Sequence, residues 1–154
     1  MSQEQEWTPP QPTDEHLWLQ RFVGEWETQS GDCMAGSESV RSIGGFWIVA
    51  EADGKMPDGD DAMSITTIGF NSDTGRFVGS WIGSMMTWHW VYDGWLEGNT
   101  LVLESEGPAM DGNGRGLYRD NHDIINENER VLRAEMQGPD GTWTEFMRTT
   151  YRRK

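Results

Sequence analysis

Cysteine is nearly absent from this chain: Cys33 is the only one among 154 residues. No internal disulfide can staple the fold, and with no histidine partner beside it Cys33 is expected to be a buried spectator rather than a nucleophile. Basic residues are scarce as well, 12 against 26 acidic ones, for a formal charge of −14. Such a balance repels phosphate backbones and anionic lipid headgroups, which argues against nucleic-acid and membrane partners and for plain solubility. Long apolar runs are missing too, and no window reaches the roughly 18 consecutive apolar residues of a membrane-spanning helix. Residues 1–16 lack the basic start and apolar stretch of a signal peptide, so a cytoplasmic location is expected. Even the branched aliphatics are sparse: Leu, Ile and Val total 21, against 26 for Phe, Trp, Tyr and Met. An interior built from aromatic and thioether side chains either packs a glycine-rich sheet or lines an adaptable pocket.

A chain of this length forms one domain. Residues 1–13, with Pro9, Pro10 and Pro12, read as an extended or disordered leader. Thr13 and Asp14 then offer N-cap side chains, and residues 14–154 form the single domain. Between 15 and 23 the pairs Trp18/Phe22 and Leu19/Val23 stand four apart, predicting a short helix that Gly24 stops. Beyond it the apolar pattern turns to period two, punctuated roughly every 8–12 residues by turn signals. Strands are predicted at 25–30, 37–43, 46–53, 63–70, 76–84, 87–96, 100–106, 116–124, 131–137 and 143–152. The turns between them carry residues that preset or tolerate positive φ, such as Asn71 to Gly75, Asp111 to Gly114 and Pro139 to Gly141. Consecutive hairpins are better closed than open, because closure removes unpaired edges. The predicted fold class is therefore all-β: a closed antiparallel meander β-barrel of about ten strands, lipocalin-like, whose interior side chains just fill or which holds one small ligand.

Gly24-Glu25-Trp26 resembles the G-x-W step that opens the first strand of lipocalins and fatty-acid-binding proteins. A broader likeness rests on Phe22-Val-Gly-Glu-Trp26, Gly44-Gly-Phe-Trp47, Ile68-Gly-Phe-Asn71, Ser80-Trp-Ile-Gly-Ser-Met85, Tyr92-Asp-Gly94 and Asp140-Gly-Thr-Trp143. By these landmarks the chain resembles the uncharacterised, mainly bacterial, lipocalin-like (calycin-like) family known as domain of unknown function 1579. The resemblance implies a calycin-like barrel with no established activity. It also implies a plug at one barrel end, Trp26 covered by an arginine of the final strand, Arg148 or Arg152. Gly83 departs from the pattern, since the family is expected to carry aspartate there.

The densest candidate site is Phe77, Trp81, Met85, Met86, Trp88, Trp90 and Tyr92, on two neighbouring strands and their connection. Alternation puts Phe77, Gly79, Trp81 and Gly83 on one face, and Trp88, Trp90 and Tyr92 on one face. If both faces turn inward they form an aromatic wall, with room beside the glycines for a small apolar ligand. The same spacing also suits plain barrel packing. His89 lies on the opposite face with Asp93, a couple that acid–base chemistry can use, but no nucleophile motif accompanies it. His16, His89 and His122 are too scattered for a zinc site, and the Asp111 loop lacks the ligands of a calcium hand. No cofactor is implied, with haem kept as a lesser alternative because nitrobindin, a calycin-like relative, holds haem through a histidine near its C-terminus. Here His89 or His122 would have to serve. Glu51, Glu104, Glu135, Glu145, Arg119 and Arg133 fall within strands, and their facing is open. The leading expectation is a noncatalytic barrel binding a small, mostly apolar molecule. The alternatives are an enzyme acting on a small hydrophobic substrate through His89 or a barrel carboxylate, and a homodimerising interaction protein with exposed aromatics and no ligand.

Overall fold

In the computed structural model, which describes residues 6–31 and 34–154, the chain enters the fold at a cap. Thr13 is the N-cap of α1 (Asp14–Leu19), and its backbone N–H donates to Nδ1 of His16 at 2.9 Å. His16 thus does the work a glutamate does in a capping box. With Nδ1 accepting, the proton sits on Nε2, which donates to the Phe70 carbonyl at 2.9 Å and pins the helix to the sheet. A 3₁₀ turn over Gln20–Phe22 follows, so the regular helix ends earlier than its apolar pairs predict. Cys33 and residues 1–5 of the leader lie outside the described residues.

Ten strands follow: β1 (Gly24–Ser30), β2 (Met34–Ile43), β3 (Trp47–Lys55), β4 (Asp61–Asn71), β5 (Arg76–Gly83), β6 (Trp90–Glu97), β7 (Thr100–Pro108), β8 (Arg115–Asn126), β9 (Glu129–Gln137) and β10 (Trp143–Arg153). Each pairs antiparallel with its neighbour in sequence, and β1 pairs with β10, which closes the barrel. The all-β meander expected from the sequence is the fold, and no described helix is long and apolar enough to cross a membrane.

The sixth strand begins three residues later than predicted. Ser84 caps the end of the β4–β5 ladder instead: its N–H donates to the Met63 carbonyl at 2.8 Å, and its hydroxyl accepts from the Met63 N–H at 2.9 Å. Residues 84–89 therefore leave the sheet at the rim.

Cross-strand register fixes which side chains face inward. Ile48 pairs with Ile68 and Ile68 with Gly79; Phe70 pairs with Phe77; Leu101 pairs with His122. Leu19 and Phe22 come up beneath them, and with Trp26, Val40, Ile124 and Tyr151 they make one solid core at the end of the barrel that α1 covers. Glu51, Glu104, Glu135, Glu145, Arg119 and Arg133 fall on the opposite, outer side of their strands. There Arg119 pairs with Glu104 at 3.0 Å and stacks over Trp143, 4.1 Å from its centroid.

Candidate functional site

The closed end of the barrel holds a buried cation. Arg130, 2% exposed, ion-pairs with Glu38 across the interior. Its guanidinium lies over three aromatic rings: Tyr151 at 3.7 Å, Trp26 at 4.8 Å and Phe22 at 4.9 Å. Such π faces compensate part of the cost of taking a cation out of water. Trp26 donates its indole N–H to the Phe22 carbonyl at 2.8 Å and is covered on its other side by Arg153, 4.2 Å from its centroid. Arg153 also donates to the Val23 carbonyl at 2.7 Å and the Arg21 carbonyl at 3.1 Å, tying the last strand to the helix exit. Trp26 plugs the barrel end, but its arginines are Arg130 and Arg153. Arg148 and Arg152 point into solvent toward Glu145 and Glu129. The even-numbered positions of β10 alternate outward near its end, which is why the sequence expectation misses by a single residue.

Above this layer the inner wall becomes polar. Tyr92 donates its hydroxyl to Oδ2 of Asp120 at 2.6 Å. Asp120 lies between Leu103 and Ala134 in the ladder, so it faces the barrel interior. Burial pushes its carboxyl above the usual range, against the opposing Tyr92 hydrogen bond. Burial and the nearby Asp120 charge push the Tyr92 phenol up as well. One step below, His122 is buried with no hydrogen-bond partner on Nδ1. Burial, helped by the Arg130 charge, holds its pKa down to about 3, so the ring is neutral.

Asp120 is half-buried as a residue, and so are the inward-facing Ala52, Ser64, Thr66 and Trp81, the last packed against the edge of the core. The core cluster packs the end of the barrel that α1 covers, and toward the other end these inward-facing side chains are half-buried rather than buried. Trp81 and Trp90 form the last cross-strand pair of β5 and β6 at that end. Trp90 meets the Tyr118 ring edge-on at 5.1 Å. A groove of about 680 Å³, with Tyr118 and Met136 in its lining, lies between the β7–β8 and β9–β10 hairpins.

The residues singled out in the sequence separate into three places. Phe77 and Tyr92 are buried, Phe77 in the solid core against Phe70 at 4.9 Å and Tyr92 on the polar layer. Trp81 and Trp90 face inward at the end of the barrel away from α1, where the Trp90 indole N–H donates to Sδ of Met86 at 3.1 Å, and Met85 stands close to Trp81 over Gly83. Trp88 does not share a face with Trp90, because it precedes the strand. Its indole N–H donates to the Glu106 carbonyl at 3.1 Å, and Arg115 lies 4.9 Å from its centroid. His89 is exposed on the outside, and its supposed partner Asp93 is held by Arg76 through two hydrogen bonds of 2.7 and 3.0 Å. Glu38, Asp120 and Arg130 were not foreseen as site residues. The signal for them exists: each is in phase with an apolar neighbour two residues away, Val40, Tyr118 and Leu132 respectively. Among the described residues no group of three or more His, Cys, Asp or Glu gathers to hold a metal ion.

Two solved structures share this architecture. Rv2717c from M. tuberculosis is 12% identical over 92% of this chain and 98% of that one, with a TM-score of 0.59. The S-type phycobiliprotein lyase CPES from Guillardia theta is 14% identical over 91% of this chain and 92% of that one, with a TM-score of 0.56. At such identities the likeness is one of fold. No curated protein matches the chain. The family model described as protein of unknown function (DUF1579) matches residues 11–153, and the chain belongs to that family.

Proposed function

We propose that the barrel is a binding protein for a small, mostly apolar molecule, held in the half away from α1 with its flat part against Trp81, Trp90 and Tyr118. The carrying observation is Asp120, which faces inward and is half-buried rather than buried, inside a closed barrel whose other end is packed by the core cluster. Side chains that point inward and are still wet line space rather than core, and aromatic walls with a few polar groups are what ligand cavities present. Gly83 and Gly107 on the inner face lie directly against the Trp81 and Trp90 rings, so the absence of a Cβ there lets the two indoles lie close to the wall. Phe77 and the distant Trp88 have no part in it, while Met85 and Met86 flank the entrance as adaptable contacts.

An acid–base enzyme has one observation in its favour, the perturbed Asp120 carboxyl beside Tyr92. Binding is the stronger reading because His89, the other candidate for proton transfer, lies outside the barrel and far from that dyad.

Native mass spectrometry of gently purified protein tests the proposal, together with Thr66→Phe, which fills the chamber from β4. A co-purifying small molecule that is released on denaturation and absent from a folded Thr66→Phe variant is the expected result. An adduct that persists in the filled variant, or a wild-type protein that takes up no apolar probe at all, would overturn it. Ala52→Phe replaces Thr66→Phe if the latter does not fold.

A further inference from the structure

We propose that the ligand is a cation, an apolar molecule carrying one protonated amine whose charge is met by Asp120. The inference rests on the chamber reading above and adds the ligand's charge to it.

Three independent features point to it. First, Asp120 is an acid without a cation. An ionised carboxylate has about four acceptor sites, and Tyr92 supplies a single donor. The nearby buried arginine is already committed, since Arg130 ion-pairs with Glu38 and lies under Tyr151. A charged group this deep either stays protonated or takes a partner of opposite sign, and Asp120, half-buried on the inner face, has no such partner among the described residues. Second, the walls above it are π faces. Trp81 and Trp90 pair on the inner face toward the open end, with the buried Tyr118 edge-on to Trp90, and aromatic faces attract ammonium groups, tryptophan most of all. Third, the mouth is ringed by acid. The hairpin tips at the open end carry Asp58 and Asp60 between β3 and β4 with Asp61 opening β4, Asp111 between β7 and β8, and Asp140 between β9 and β10. Lys55 at this rim is paired with Asp61, and Arg115 is drawn toward Glu106 at 3.7 Å. On a chain of net charge −14, an acidic mouth over a low-dielectric chamber concentrates cations and turns anions away.

An anionic ligand is thereby disfavoured at every stage: at the rim, along the walls and at the carboxyl. A neutral apolar ligand satisfies the walls and leaves Asp120 protonated. The cation satisfies all three.

The experiment uses three probes of one shape, 1-naphthylmethylamine, 1-naphthalenemethanol and 1-naphthoate, titrated at neutral pH into the full chain and read by tryptophan fluorescence and calorimetry. The amine is expected to bind at least tenfold more tightly than the alcohol, the carboxylate most weakly, and the amine-to-alcohol ratio to fall close to one in Asp120→Asn. An amine bound no more tightly than the alcohol, or a ratio unchanged in the variant, overturns the charge inference while leaving a binding chamber in place. Failure of all three probes to bind, or binding that survives Thr66→Phe, overturns the chamber reading and this inference with it. If Asp120→Asn does not fold, Asp120→Ser takes its place.

Discussion

The buried charges decide most at the scale of single residues. Arg130 is surrounded by aromatic rings and by Glu38, so removing its charge leaves a carboxylate in the core without a partner. Breaking a buried pair from one side costs about 3–5 kcal/mol, whereas replacing both partners by shapes of similar volume is close to neutral. Arg130→Met is therefore expected to lower the unfolding free energy by about 3–5 kcal/mol, and Arg130→Met with Glu38→Gln to recover much of it, as measured by urea denaturation. His122 makes the fold sensitive to acid. Its folded pKa of about 3 lies far below its ordinary 6.5, so between these values the unfolded chain binds a proton that the folded one refuses. The associated stability is complete above pH 6.5 and drains away as pH falls toward 3, by roughly 5 kcal/mol in all. His122→Gln, which cannot be protonated, is expected to flatten the stability profile over that window. A profile as steep as the wild type's would show that another group is responsible.

Elements were more legible in the sequence than the residues inside them. The strands could be read because turn signals such as Asn71 to Gly75 and Asp111 to Gly114 are local, and the apolar alternation between them is a property of one strand at a time. What escaped depended on neighbours. Trp88 looks in phase with Trp90, but Ser84 turns the chain out of the sheet by bonding to Met63, some twenty residues earlier. Arg130 stands just past the β8–β9 turn, where a charge reads as solvated; its phase with Leu132 is one weak local sign, and the register against Tyr151 and Ile124 shows it facing in. Arg153 was passed over for Arg148 and Arg152 because the final strand carries a register shift between Glu145 and Met147 that sequence alternation does not reveal. Gly79 illustrates a constraint of the same kind. It lies between Ile68 and Tyr92 on the inner face, and a Cβ there would collide with the Thr67 backbone carbonyl. Backbone cannot yield as a flexible side chain does. Gly79→Ala is accordingly expected to destabilise by more than the roughly 1–3 kcal/mol of ordinary overpacking, and a thermal melt at the wild-type midpoint would refute that placement.

At the scale of the molecule, α1, Trp26 and the Arg130 cluster fill one end of the barrel, and the proposed binding surface is at the other, built from Trp81, Trp90 and Tyr118 around Asp120. Composition foreshadows this: with aromatics and methionines in excess over aliphatics, a ten-strand barrel has bulky residues enough to pack one end and to line the other. Composition alone does not say which tryptophans serve which purpose, because Trp47, Trp95 and Trp143 lie on the outside of the same strands that carry the chamber. The nine tryptophans are therefore their own test. A titration with 1-naphthalenemethanol, followed by the indole N–H signals in two-dimensional nitrogen–proton NMR, reports where an apolar probe goes. Shifts concentrated at Trp81 and Trp90, with Trp47, Trp95 and Trp143 unmoved, are the expected result. Shifts confined to the outer tryptophans, or none at any probe concentration, would contradict a ligand chamber inside the barrel.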